Sequence, residues 1–188
     1  MRNNSTITNK QSFAFIATIL FGLFFRLWEL TARGFWFDEA VEFWTAIVPF
    51  NDIIKMTAGS FQPPLYPFLL HVWMLASTSE LWMRLLSVGL NLSALIALML
   101  VIKDLFGIRA AVLTGIVLGL SASLIKYSQE VGEYSLLLAL LCWGFFAGFK
   151  ALNSEKQSSW VAAGVLFGLS ILAHYGASIT ISALIAWA

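Results

Sequence analysis

An all-α, polytopic transmembrane helix bundle is the fold class this sequence predicts, with interfacial juxtamembrane helices in its first outer loop. Three observations predict it. Hydrophobic residues make up 60% of the chain and charged residues 11%, against about 25% charged in an ordinary soluble domain. Mean hydropathy is +0.84. The apolar residues also gather into runs near the roughly 20 residues that a spanning helix needs, with basic residues between the runs. The net charge of +1 gives no reason to expect a nucleic-acid partner. The single cysteine, Cys142, can form no disulfide within the chain.

The first span is expected over 12–30, "SFAFIATILFGLFFRLWEL", as an uncleaved signal anchor, because no A-x-A-like site follows its apolar core. Residues 81–102, 110–126, 134–150 and 159–174 supply four more, and another begins near 176. The apolar run "ISALIAWA" closes the sequence without a cap. Residues 1–188 are therefore expected to be the N-terminal part of one transmembrane module. Cytoplasmic loops favour Lys and Arg, which places Arg2, Lys10, Lys103, Arg109, Lys150 and Lys156 on the inner side. The 81–102 helix must then enter from outside, so 31–80 begins and ends on the outer face. The short apolar segment 63–77 is expected to lie along the interface instead of crossing. Within this loop two short helices are expected, 38–48 and 63–77, anchored by Trp36, Trp44, Trp73 and Trp82 as aromatic belts are. Lys55 and Lys126 fall on the outer side, against the rule. "GIVLG" at 115–119, "GFFAG" at 144–148 and "GVLFG" at 164–168 have the small-xxx-small spacing that lets helices pack closely in lipid. The expected location is a multi-pass plasma-membrane protein with a cytoplasmic N-terminus.

This topology brings polar residues from distant stretches to one face. Arg33, Asp38, Glu39, Glu42 and Gln62 come from the long loop. Arg84 follows one turn into the next span, "YSQEVGEY" (127–134) forms a short turn, and His174 and Tyr175 form another. Charges in apolar surroundings are costly unless paired or used, so the acidic pair in "RGFWFDEAVEFW" (33–44) stands out. Capping would explain it, since carboxylates stabilise a helix N-terminus by roughly 0.3–1 kcal/mol. A half-buried, aromatic-lined carboxylate can equally take a proton from a hydroxyl. Gln62 can bind a sugar hydroxyl or a metal-bound water. Arg84 can snorkel to lipid phosphates or hold the phosphate of a lipid-borne substrate. No Walker loop, GxGxxG, HExxH or Cys/His zinc spacing occurs, which argues against nucleotide-driven chemistry within these residues.

In order and spacing, "FWFDEA", "QPPLYPFLLHVWM", "SELWMRLLSV", "YSQEVGEYSLLLAL" and "LAHY" resemble the GT-C membrane glycosyltransferases of the protein-O-mannosyltransferase-like group, glycosyltransferase family 39. The resemblance covers about residues 12–180. It implies a GT-C-like bundle that passes a sugar from a polyprenyl- or dolichyl-phosphate donor to an acceptor hydroxyl on a protein, lipid or glycan at the outer or lumenal face. It implies Asp38 as catalytic base with Glu39 as its companion. Gln62, Tyr66 and Arg84 are then expected to contact substrate, as are Lys126, Gln129, Glu130, Tyr134 and His174. No metal ligands are assigned, and a divalent cation is left open. Relatives commonly read "YSQE-x-R-x-Y", and this chain has Gly132 at the arginine position. A transporter, or a lipid-binding or structural protein without turnover, is the alternative class. A transporter would place charges at mid-membrane on broken helices.

Overall fold

The computed structural model describes residues 8–59, 62–154 and 156–187. Arg2, used above to orient the chain, lies outside them. The described residues form ten helices and no strand. Three helices are long and apolar enough to cross a bilayer: α1 (Asn9–Leu27), α5 (Glu80–Phe106) and α8 (Glu133–Ser154). Helix α1 begins three residues before the expected span, because Thr8 and Gln11 form a reciprocal capping box. It ends three residues early, where Trp28 turns extended and Glu29 takes φ 55°. Helix α5 is held at its start by Ser79, which accepts from Trp82 N, and stops at Gly107, whose φ of 87° suits glycine.

The expected helix 110–126 is two helices, α6 (Ile108–Gly119) and α7 (Ala122–Ser128), bent by 68°. Ser121 is extended at the break, and a Cβ on Gly119 would meet the Gly22 Cα at 3.5 Å. Glycine and serine are where helices commonly kink, and the close approach of α1 fixes this one. Helix α9 (Gln157–Ala173) has 17 residues, the short end of the spanning range, and α10 (Ala177–Trp187) follows.

Between α1 and α5 lie three short helices, α2 (Phe37–Ile47), α3 (Phe50–Ala58) and α4 (Leu65–Met74). The first and third match expectation. The second was not expected; Pro49 serves as the N-cap of a helix that buries Ile53 and Thr57. Helix α4 spans about 15 Å at 1.5 Å per residue, too short to cross. It is tied to the start of α5 by two stacked indoles, Trp73 and Trp82, with centroids 4.5 Å apart. Each indole N–H donates to the other residue's carbonyl, at 2.7 and 2.9 Å.

Helix direction follows from side-chain pairs. Arg26 of α1 donates to Asn91 of α5 through Nε and Nη2 at 3.0 and 2.9 Å. Farther down, a Cβ on Gly115 would meet both Thr18 of α1 and Met99 of α5. Helices α1 and α5 are therefore antiparallel. Helices α5 and α8 run parallel, since Glu39 bridges Arg84 to Val131 at one end and Lys150 pairs with Asp104 at 2.6 Å at the other. Of the three small-residue motifs, Gly115 and Gly119 meet α1 and Gly144 meets Phe167, whereas nothing lies within 4 Å of a Cβ on Gly164 or Gly168. One core cluster, including Ala46, Tyr66, Leu70, Met83, Val131 and Ala173, joins α2 and α4 to the tops of α5, α8 and α9.

Candidate functional site

Helix α2 starts at Trp36, whose N–H donates to Glu39 Oε2 at 3.4 Å. Successive helical residues project about 100° apart, so Asp38 and Glu39 face different surroundings. Glu39 is 2% exposed. Its Oε1 accepts from Arg84 Nε and Val131 N, both at 3.0 Å, and its Oε2 from Arg84 Nη2 at 2.9 Å. Arg84 in turn donates to the carbonyls of Leu30, Arg33 and Gly34 at 2.9, 2.8 and 3.3 Å. Its guanidinium thus clamps the chain entering α2, with Phe35 stacked on it at 5.4 Å.

Asp38 is exposed and lines a cavity of about 400 Å³, counting its open mouth. Trp36 and Glu42 line it from α2, Gln62 from the turn before α4, and Tyr127 from α7. Glu130, Val131 and Gly132 form the far wall, continued by Glu133 and Tyr134 at the start of α8. A Cβ on Gly132 would meet nothing within 4 Å, so the position where the resemblance leads one to expect an arginine is open space at this wall.

Of the expected site residues, Asp38, Gln62, Glu130 and Tyr134 reach the cavity. Lys126 and His174 stand beside it. The Lys126 ammonium lies 5.4 Å from the Trp36 ring centre and 3.7 Å from Glu130 Oε1. His174 packs on Tyr134 at 5.7 Å, while its Nδ1 accepts from Gly176 N at 2.9 Å. The other four are turned away. Glu39 and Arg84 hold one another, and Tyr66 is fully buried behind the cavity. Gln129 caps α1, donating from Nε2 to Trp28 O at 2.7 Å and reaching the Phe25 and Arg26 carbonyls at 3.3 Å. Among the described residues, no group of three His, Cys, Asp or Glu side chains is arranged to hold a metal ion.

Two cavity residues carry more of the site than the sequence suggested. Glu42 and Glu133 are 3% and 5% exposed. Burial first, then the neighbouring Glu133 and Asp38 carboxylates, pushes the Glu42 carboxyl up to about 8. Burial also raises Glu130, partly offset by Lys126. A readable signal existed for Glu42, because it lies four residues after Asp38 and so on the same helix face.

No curated protein and no solved structure matches the chain. A family match covers residues 61–188, which include Gln62 and the far wall of the cavity but not Asp38 and its helix. With well over half of its length inside the match, the chain belongs to the dolichyl-phosphate-mannose-protein mannosyltransferase family.

Proposed function

We propose that this chain carries the catalytic site of a glycosyltransferase that takes a hexose from a polyprenyl- or dolichyl-phosphate donor. The acceptor is a hydroxyl group at the outer or lumenal membrane face. The observation that carries the reading is the division of labour in the acidic pair: Glu39 is fully bonded inside the fold, while Asp38 stands free on the cavity wall. In this reading Asp38 takes the proton from the acceptor hydroxyl as its oxygen attacks the anomeric carbon in line. The bond from that carbon to phosphate oxygen breaks, and polyprenyl phosphate leaves with the electron pair. Glu39 and Arg84 act as positioning residues that fix the start of α2. Arg84 has no role at a phosphate in this scheme, because its donors are spent on the protein. Lys126 is the cation we assign to the departing phosphate, taking the part of the arginine replaced by Gly132. Gln62 and Tyr134 would hold sugar and acceptor hydroxyls. A non-catalytic lipid-binding member is the second reading, favoured by that glycine.

The test is sugar transfer from a synthetic polyprenyl-phosphate hexose by the full chain in liposomes. Asp38→Asn is expected to lower turnover by about 10²–10⁴-fold, the usual worth of a general base, with little change in donor KM. Equal turnover in wild type and variant removes Asp38 as the base. No transfer by the wild type from any hexose donor favours the second reading.

A further inference from the structure

Beneath Asp38 the cavity floor holds two carboxyl groups that the transfer mechanism does not use. Glu42 comes from α2 and Glu133 from the first turn of α8; both line the one cavity, and Glu133 bears on the Glu42 carboxyl there. Four ion pairs exist among the described residues, Lys55–Asp52, Arg84–Glu39, Lys126–Glu130 and Lys150–Asp104, and none reaches Glu42 or Glu133. Glu42 Oε2 is buried without a hydrogen bond. Tyr66, from α4, has a buried hydroxyl without a hydrogen bond, and the charges of both glutamates bear on it, with Ser87 of α5 nearby. Two ionised carboxylates on one cavity floor, both nearly out of water and lacking a cation, are strongly unfavourable. One proton resolves both problems, since it removes a charge and supplies the missing bond. Burial raises the Tyr66 phenol, so it keeps its O–H as a further donor to the cluster.

We propose that Glu42 and Glu133 act as one proton-sharing unit at the cavity floor, holding a single negative charge beneath Asp38, so that the anionic headgroup of the donor meets one charge there instead of two. The second half of this statement rests on the function proposed above; the first half does not. Four titratable groups bear on the unit or its cavity: Asp38 on the same helix, Tyr66 on α4, Glu130 on the far wall and Tyr134 on α8. Lys126 is paired with Glu130, and Arg84 with Glu39. Raising the pH through the titration of Glu42, whose carboxyl burial pushes up to about 8, would double the floor's negative charge and repel a phosphate.

Infrared difference spectroscopy on the full chain, across about pH 8, reads the pair without any need for turnover. The wild type is expected to show a protonated-carboxyl carbonyl band that shifts in deuterium oxide and bleaches as the pH rises. Glu42→Gln should abolish it. Glu133→Gln should move its midpoint down by at least about one pH unit, through loss of the neighbouring charge. Glu130→Gln should leave it in place. Absence of the band in the wild type, its survival in Glu42→Gln, or its loss on adding Mg²⁺ at constant pH overturns the pair. Should Glu42→Gln fail to fold, the midpoint in Glu133→Gln decides, and an unmoved midpoint refutes the sharing. In the transfer assay the donor KM is expected to rise about tenfold across the same pH range, as one added charge near a phosphate predicts. A flat KM beside a titrating band overturns the headgroup role alone. A wild type that transfers no sugar defeats the proposed function, and the band still decides the pair.

Discussion

At the scale of single residues, the separation of Asp38 from Glu39 has an energetic counterpart. The Glu39–Arg84 pair is buried, with side chains 2% and 4% exposed, and one guanidinium also ties down three backbone carbonyls. Removing one partner of such a pair leaves an uncompensated charge, which costs about 3–5 kcal/mol. Arg84→Met and Glu39→Gln are therefore expected to lower the thermal unfolding temperature in detergent sharply, with loss of transfer following from unfolding. Arg84→Lys should rescue little, because an ammonium cannot reproduce the planar fork. Asp38→Asn, on an exposed side chain, should change stability by no more than about 0.5 kcal/mol. Comparable destabilisation by Asp38→Asn and Glu39→Gln would contradict the division between them. The residue pattern alone, two adjacent acids after an aromatic cluster, does not rank them; the family resemblance singled out Asp38 as base with Glu39 as companion. The partner that distinguishes them lies 45 residues away, and the backbone N–H of Val131 lies 92 away.

Among the helices, legibility followed the range of the forces involved. Helices α2 and α4 were readable because their signals are local: acidic residues at one start, two prolines before the other. The break between α6 and α7 was not, since Gly119 and Ser121 sit within a run that is mostly apolar from 110 to 125, and the contact of Gly119 with Gly22 that fixes the bend lies far away in sequence. The small-residue motifs show the same limit, because spacing alone does not reveal which glycines face a neighbour. A Cβ at Gly115 would come within 2.6 Å of Thr18 Cγ2 and 2.7 Å of Met99 Sδ. Met99 can yield, but a β-branched threonine is stiff. Gly115→Ala is expected to destabilise by about 1–3 kcal/mol through overpacking. Gly164→Ala, which meets nothing, should be neutral or stabilise by up to about 1 kcal/mol through helix propensity. Unfolding of both variants in the same detergent checks this, and equal effects would mean that the α1–α6 contact is absent from the protein in solution.

For the molecule as a whole, charge and geometry give the same polarity by separate routes. Helix α5 leaves the cavity at Arg84 and reaches Lys103 at its far end, and α8 runs beside it from Glu133 to Lys150, where Lys150 meets Asp104. Antiparallel α1 brings Lys10 to that same far end, and the turns holding Arg109 and Lys156 lie there too. Lys10, Lys103, Arg109, Lys150 and Lys156 thus gather at the end opposite the acidic cavity, whereas Arg33, Lys55, Arg84 and Lys126 stand toward the cavity end. Lysine and arginine are retained on the cytoplasmic side, so the cavity is expected to open on the other one. Ser77 lies in the turn before α5, at the cavity end, and Ser154 closes α8 at the basic end. In a Cys142→Ser background, a membrane-impermeant maleimide should label Ser77→Cys on intact cells and Ser154→Cys only after permeabilisation. Labelling of both from one side would break the polarity, and with it the proposed placement of Asp38 on the face opposite the basic residues.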